Sequence, residues 1–454
     1  MHQDLSDPAG IDSFDPDTRL AVLARAAEGL AAPGCAPDGP VNMHLHSFYS
    51  YNSMGYSPSH LALVCRRQGL YAAALCDFDV LDGLEEFLAA GQLLGLRAAV
   101  HLETRAFLRE YAAVDINSPG EPGVTYIMGA GFGALPPAGS RAMRTLDNFR
   151  QQANLRNRAL VARVNGRLPE IALDYDRDVL PLSPGGCPTE RHIVRAYREK
   201  ARSVFSAPER IAGFWSGLMR KSAPEVAALL EDSTALDDKI RSLLAKSGGI
   251  GYVRPDDKTF PPVDDFVAWV LECNAIPMAT WLDGTSAGEA NMPEMLSCLR
   301  AKGVAAINII PDRNHNIKNE NERRLKLAKL SEVVAAARQL HFPVNIGTEM
   351  NKHGQPFADD TACAALAPYR EDFMRGANIM IGHSVLARYA FFSYCGRAAE
   401  AEYGKDTGRK NKFFESVGKL PPLAPDSCRR LGELGPDRAF QLISSSASAG
   451  RWMF

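Results

Sequence analysis

A pair of histidines separated by one residue lies near the start of the chain, where residues 42–47 read NMHLHS. Alternate residues of a β-strand point to the same side, so a strand here would project His44 and His46 together. Two imidazoles in that arrangement can bind one metal ion. The alternative is that one histidine packs in the core while the other lies at the surface, and the pair alone leaves both interpretations open.

Two acidic residues each end a short apolar segment further along the chain. Asp77 follows the segment 72–76, and Glu103 follows the segment 97–102. In a parallel barrel the ends of such strands meet on one face, which is where barrel enzymes place their active sites. A carboxylate beside a pair of histidines can bridge two cations, an arrangement suited to phosphoester hydrolysis. A helix N-cap is the alternative for each acidic residue alone, but the combination favours a metal site.

The elements that must position these side chains alternate between apolar and helical patterns. The predicted strands cover residues 41–46, 72–77, 97–103, 125–129, 276–281, 304–310, 344–349 and 378–383. Helical patterns lie between them, for example over residues 58–68, 84–94, 263–273, 292–302 and 321–340. Strands that alternate with helices pair in parallel through crossover connections, and seven or eight such units favour a closed α/β barrel.

The alternation is interrupted over residues 135–260, where Arg, Ala and Leu are frequent and a helical insertion is predicted. We therefore expect one barrel over residues 41–385 that is divided by this insertion. A leader over residues 1–40 contains one short helix, and residues 386–454 form a helical and irregular extension.

Composition restricts the class of protein without naming a reaction. The chain has 454 residues, 51 Lys and Arg against 53 Asp and Glu, a formal net charge of −2, and nine scattered cysteines. The near-neutral charge gives no indication of nucleic acid as a partner. No apolar segment approaches the roughly 20 residues that a membrane span needs, and the first residues lack the pattern of a secretory signal. We expect a cytoplasmic protein with reduced thiols, and its oligomeric state stays open.

Four segments together resemble the PHP (polymerase and histidinol phosphatase) superfamily of metal-dependent phosphoesterases. Residues 44–47 (HLHS) are similar to its opening motif, residues 76–87 (CDFDVLDGLEEF) to its second motif, and residues 100–103 (VHLE) to the strand that supplies a bridging glutamate. Residues 187–193 (CPTERHI) resemble the start of the helical insertion in the nucleotidase-like branch of that superfamily. The resemblance extends over about residues 41–350, and it implies a distorted (β/α)7 barrel.

The resemblance also implies a set of site residues. It assigns one metal ion to His44, His46, Glu103 and Glu349 and a second to Glu103 and His192, while Asp283, His353 and His383 are further candidate ligands. The ions would be Zn²⁺, Mn²⁺ or Fe²⁺. Catalytic roles fall to Asp77, which would hydrogen-bond a ligating histidine or the nucleophilic water, and to Arg191 and His192, which would meet the phosphate from the insertion.

The departures from the superfamily pattern predict a centre with fewer metal ions than the superfamily has. Asn52, Phe78, Trp281 and Asn351 stand where the superfamily has metal-binding histidines, so we expect one or two ions. The predicted reaction is hydrolysis of a small phosphorylated substrate by a metal-activated water. Two alternatives stay open: a metal-dependent hydrolase that acts on a different bond, and a non-catalytic protein that keeps the barrel and binds a metal or ligand.

Overall fold

Seven strands form a single sheet whose order follows the chain in the computed structural model, which describes residues 7–30, 39–256 and 258–454. Their bounds are β1 Val41–Leu45, β2 Ala72–Phe78, β3 Arg97–Phe107, β4 Val124–Ala130, β5 Ile276–Trp281, β6 Ala306–Ile309 and β7 Val344–Ile346. A parallel bridge from Leu45 to Glu349 joins β1 to the segment that follows β7, so the sheet is nearly closed into a barrel. The predicted α/β barrel is thus confirmed.

Helices surround this sheet. Before β4 the chain forms α1 Pro16–Glu28, α2 Pro58–Arg67 and α3 Leu84–Leu94. Between β4 and β5 it forms α4 Arg141–Asn165, α5 Glu190–Phe205, α6 Pro208–Met219, α7 Ala223–Glu231, α8 Ser233–Leu244 and α9 Val263–Glu272. The remaining helices are α10 Met292–Ala301, α11 Asp312–His315, α12 Glu320–Leu340, α13 Arg370–Ala390, α14 Arg397–Tyr403, α15 Thr407–Gly418, α16 Pro425–Glu433 and α17 Pro436–Ala449. Among the described residues, no helix has the length and apolarity needed to cross a membrane.

Strand β4 runs antiparallel to both of its neighbours, β3 and β5, whereas the alternating pattern predicts parallel pairing. The connection between β3 and β4 explains why β4 is reversed, and β5 then returns to the direction of β3. This connection contains one short 3-10 turn at Arg109–Tyr111 and no α-helix. A parallel neighbour requires a crossover, usually a helix, so a chain without one turns back beside the strand it has just left.

The insertion between β4 and β5 has a hydrophobic core of its own. Trp215, Tyr197 and Leu236 are fully buried in a cluster that is separate from the barrel core. Helix α4 joins the two, because Phe149 in its first half packs in the barrel core and Val164 near its end packs in the insertion core. The sequence-based expectation of a helical subdomain is therefore confirmed.

The predicted strand over residues 378–383 is wrong, because these residues lie in the middle of helix α13. The whole segment is buried, with Ile379 and Met380 fully so. A short apolar segment has the same composition in a buried strand and in a buried helix, so its pattern does not distinguish them. As a consequence, the barrel has seven strands and His383 is a helical residue.

Helix α1 is attached to the barrel by a buried ion pair. Arg19 is fully buried, and its Nε donates to Glu86 Oε1 of α3 at 2.8 Å. The same guanidinium reaches Tyr49 Oη at 3.1 Å, while Ser59 donates its backbone N–H to Glu86 Oε1 at 3.0 Å. Of the predicted leader over residues 1–40, the parts 1–6 and 31–38, which include Cys35, lie outside the described residues.

Candidate metal centre

His44 and His46 lie at the carboxyl end of β1, and both are fully buried. The centroids of their rings are 5.1 Å apart. Parallel strands with both faces buried usually consist of apolar residues. Burying two imidazole rings in such a strand costs free energy unless their nitrogen atoms have hydrogen-bond partners or bind a metal ion. Among the described residues, neither Nε2 atom has a hydrogen-bond partner.

The opposite nitrogen of each ring is held by a neighbouring polar group. His44 Nδ1 lies 2.9 Å from Asn308 Oδ1 of β6, and a carbonyl oxygen can only accept a proton. His46 Nδ1 lies 3.1 Å from Ser50 Oγ, whose own proton is donated to Asp77 Oδ1 at 2.6 Å. Nδ1 of each ring therefore donates its proton to this neighbour. Nε2 is the remaining nitrogen of each ring, and its lone pair is the one that a metal ion would use.

Glu103, on β3, faces both of these nitrogen atoms. Its Oε2 lies 3.4 Å from His44 Nε2 and 3.5 Å from His46 Nε2, and it accepts no hydrogen bond from the described residues. Ligands bonded to one tetrahedral ion at about 2.1 Å are separated by about 3.4 Å. Burial opposes ionisation of Glu103, but the two histidines hold the pKa of its carboxyl at about 2. Glu103 Oε2 therefore lies at the spacing of two metal ligands from each imidazole nitrogen.

Glu349 approaches the same two histidines from the segment after β7. One oxygen of Glu349 and one nitrogen each of His44 and His46 lie within 4.8 Å of one another, so that these residues could together hold a metal ion. The backbone of Glu349 is left-handed, with φ +65°. Its N–H donates to His44 O at 2.8 Å, and its O accepts from His46 N at 2.9 Å. These two bonds hold a backbone conformation that is unfavourable for a residue with a side chain.

Gly347 allows the segment after β7 to approach β1 this closely. A Cβ atom at position 347 would lie 2.3 Å from His44 Cβ and 2.5 Å from His44 N. Only glycine fits such an approach without displacing the backbone. The glycine therefore fixes the position of His44 relative to Glu349.

Asp77 does not belong to the cluster of possible ligands, but it supports that cluster from behind. It accepts hydrogen bonds from Ser47 N at 2.8 Å, Ser47 Oγ at 2.7 Å and Ser50 Oγ at 2.6 Å. Burial raises the pKa of the Asp77 carboxyl. Ser50 Oγ bonds to both Asp77 and His46 Nδ1, so a single hydroxyl group links Asp77 to the ring of a candidate ligand.

A cavity of about 270 Å³ lies above the cluster, between the barrel and the helical insertion. Its lining contains six basic side chains, which are Arg105, Arg156, Arg191, Arg241, Lys246 and Arg313, and four acidic ones, which are Asp79, Glu103, Glu190 and Glu349. The cavity is therefore positive even before a metal ion is considered. Such a lining favours an anionic ligand.

Much of the basic wall is organised around Glu190 at the start of α5. Lys246 Nζ lies 2.9 Å from Glu190 Oε2, Arg241 Nη2 lies 3.1 Å from the same oxygen, and Arg105 Nη2 lies 3.5 Å from Oε1. Although burial opposes ionisation, these cations hold the pKa of Glu190 well below its ordinary value. One carboxylate thus positions three cations at the cavity, an arrangement that no local sequence motif indicated.

The insertion residues proposed from the sequence occupy different surroundings. Arg191 lines the cavity and pairs with Asp238 at 3.7 Å. His192 is absent from the cluster of possible ligands, because it caps its own helix. Its Nδ1 accepts the N–H of Thr189 at 3.0 Å, and its ring packs edge-on against Tyr51. Burial lowers the pKa of His192 to about 3, so its ring is neutral.

The structure does not bring the other candidate ligands to the cluster. Asp283 accepts from Thr285 in a turn and pairs with Lys326 at 3.1 Å. His353 is exposed to solvent. His383, on α13, accepts the backbone N–H of Tyr394 at 3.1 Å, and its placement follows from the helix that replaces the predicted strand.

The residues at the departures from the superfamily pattern have structural contacts. The ring of Phe78 stacks on His46 with centroids 4.8 Å apart and 12° between planes. Asn52 donates through Nδ2 to His46 O at 2.8 Å and shapes the following turn. Trp281 is fully buried, and Asn351 lines the cavity. An aromatic ring, which cannot bind a metal ion, thus covers one face of His46.

Comparisons with known proteins give low similarity. No family model matches the chain, and no curated protein matches it. Among solved structures, a Bifidobacterium adolescentis protein assigned as a metal-dependent phosphoesterase has 17% identity and a TM-score of 0.46, with 76% of this chain and 97% of that chain covered. An amidohydrolase from Chromobacterium violaceum, solved with bound sulfate and no metal, has 15% identity and a TM-score of 0.46, with 73% and 96% covered.

Proposed function

We propose that this protein is a metal-dependent hydrolase that cleaves phosphoesters of small molecules. The observation that carries the proposal is that Nε2 of His44 and Nε2 of His46, whose lone pairs can bind a cation, lie 3.4 Å and 3.5 Å from one oxygen of Glu103, in a buried place where none of the three atoms has a hydrogen-bond partner among the described residues. Leaving such atoms unpaired is expensive, and a shared cation removes the cost. The fully buried rings of His44 and His46 supply these lone pairs because Asn308 and Ser50 hold their other nitrogens.

The proposed ligands are His44, His46, Glu103 and Glu349. Nitrogen and carboxylate donors at this spacing suit Zn²⁺, and they also accept Mn²⁺ or Fe²⁺. When bound, a divalent ion lowers the pKa of water and polarises a phosphoryl oxygen. Asp77, through Ser50, keeps His46 in the tautomer that binds the ion.

The basic lining of the cavity supports an anionic substrate. In the proposed reaction a water oxygen forms a bond to phosphorus, the bond from phosphorus to the leaving oxygen breaks, and that oxygen takes a proton. The products are an alcohol and inorganic phosphate. The insertion, proposed from the sequence to extend over residues 135–260, contributes Arg156 and Arg191 to the cavity, so it would cover the substrate and hold its phosphate.

Metal analysis combined with a panel of phosphoesters tests this function. After reconstitution with Zn²⁺ or Mn²⁺ we expect a bound ion and turnover of at least one phosphoester. His44→Ala and Glu103→Gln should lose both the ion and the turnover. His353→Ala is the matched control, because its exposed ring lies outside the cluster and should leave both unchanged. Failure of the unmodified protein to bind either ion would refute the proposal, and binding without turnover of any phosphoester would refute the assigned reaction.

A further inference from the structure

Arg313 follows β6 directly, in the short helix α11, and its guanidinium reaches the candidate metal centre. Nη2 of Arg313 lies 3.1 Å from Glu349 Oε2. A guanidinium stays charged throughout the physiological pH range. A permanent positive charge therefore stands beside Glu349.

The two donors around Glu349 Oε2 restrict what this carboxylate can do. Arg313 Nη2 and Gln355 Nε2 lie 3.1 Å and 3.4 Å from that oxygen. A second ion beside this oxygen would have to compete with the guanidinium of Arg313. On the other flank of the centre, Phe78 stacks on His46 and offers no ligand atom. On these two sides the centre therefore has a guanidinium and an aromatic ring, and neither can bind a metal ion.

Arg313 also faces the space where a substrate would lie. It belongs to the lining of the cavity, and 45% of its side-chain surface is exposed. A guanidinium has five N–H donors in a fixed plane, of which the ion pair with Glu349 uses one. The others are available to an oxygen atom of an anion held over the centre. A bidentate arrangement of this kind suits phosphate better than a single ammonium would.

We propose that Arg313 serves as the second cation of this centre. It neutralises Glu349 on one side and donates to an anionic oxygen of the substrate on the other, so that the centre works with a single divalent ion. This inference rests on the proposed metal site, and it adds a catalytic residue that lies outside the four segments on which the family resemblance depends.

Calorimetric titrations with Mn²⁺, and then with inorganic phosphate on the Mn²⁺-loaded protein, test this role without an activity assay. We expect one ion per chain. In Arg313→Met the ion should bind as tightly as before or more tightly, because a repelling charge is gone, while phosphate affinity should fall about ten-fold or more. Arg313→Lys should recover much of the phosphate affinity. Arg323→Met, which changes an arginine on the outer helix α12 that pairs with Glu320, is the control and should leave both titrations unchanged.

The outcomes separate this inference from the proposed function. Two ions per chain, or unchanged phosphate affinity in Arg313→Met, would overturn the role of Arg313 while leaving the metal site in place. Parallel loss of the ion and of phosphate in Arg313→Met would assign the residue a structural role and also overturn the inference. If the unmodified protein binds no Mn²⁺ or Zn²⁺, the metal site itself is refuted, and the inference falls with it.

Discussion

Replacing Gly347 with alanine tests the geometry on which the centre depends. An alanine Cβ would lie 2.3 Å from His44 Cβ, 2.5 Å from His44 N and 2.7 Å from Asn42 Oδ1. Carbon atoms that are not bonded to each other rest about 3.5–4.0 Å apart, so the segment after β7 must move away from β1 by more than about 1 Å. The obstacle includes backbone, which cannot swing aside as a flexible side chain would.

The cost of this movement has two parts. Overpacking of a closely fitted interior costs typically about 1–3 kcal/mol, so we expect a loss of that size in the free energy of unfolding. The movement also stretches the bond from Glu349 N to His44 O, now 2.8 Å, and changes the distance of His44 from the other ligands. A shift of about 1 Å is large against a ligand spacing of 3.4 Å. We therefore expect metal affinity to fall by about ten- to a hundred-fold.

Chemical denaturation of the metal-free protein measures the first part, and calorimetric titration with Zn²⁺ measures the second. The control is Gly213→Ala in helix α6, where an added Cβ meets no atom within 4 Å. That variant should be as stable as the parent or more stable by about 0.5–1 kcal/mol, because alanine favours the helix. Equal stability and equal metal affinity in Gly347→Ala would show that the segment after β7 does not approach His44 as described.

Three further predictions concern other buried polar groups. Ser50→Ala should lower metal affinity by about ten- to a hundred-fold in calorimetry, because it disconnects His46 from its supporting carboxylate, and should cost about 1–3 kcal/mol of stability, because His46 Nδ1 loses its buried partner; unchanged affinity would contradict that link. Arg19→Met should cost about 3–5 kcal/mol in urea denaturation, since it leaves Glu86 charged and buried, and a loss below about 1 kcal/mol would contradict the pairing. Burial and a neighbouring acidic group raise the pKa of Asp359 to about 7. Its pKa in the folded protein exceeds that in the unfolded chain, so the folded form binds the extra proton and stability falls as pH rises from about 4 to about 7. In Asp359→Asn, denaturation midpoints measured at a series of pH values should depend less on pH than in the parent protein. If the two proteins gave the same pH profile, the raised pKa of Asp359 would be refuted.

The parts of the fold and centre that could be predicted from the sequence rest on local regularities. The spacing of His44 and His46 in a buried strand is visible in six residues, and it places both rings on one side. The role of Glu103 could be predicted in the same way, because this residue ends a short apolar segment. Alternation of strands and helices indicated crossover units and favoured a closed barrel over an open sheet, because each unit has its own periodicity.

The remaining features depend on contacts between distant segments. Asn308 and Arg313 are ordinary polar residues in the sequence, and only the closure of the barrel brings them against β1 and Glu349. His192 was predicted as a ligand from its resemblance to a motif, but a competing local use, the cap of its own helix, occupies Nδ1. The helix over residues 378–383 could not be distinguished from a strand because every residue there is buried.

The bridge between Leu45 and Glu349 places the candidate ligands on both sides of the seam where the sheet closes. An ion bound there would cross-link two segments that are about 300 residues apart in the chain. Joining such distant segments removes much of the freedom of the unfolded chain, although that gain rises only slowly with the length of the loop. Metal binding would then chiefly suppress the separation of β1 from the segment that follows β7. The backbone amides of His46 and Glu349, which span the seam, would report it by slower hydrogen exchange.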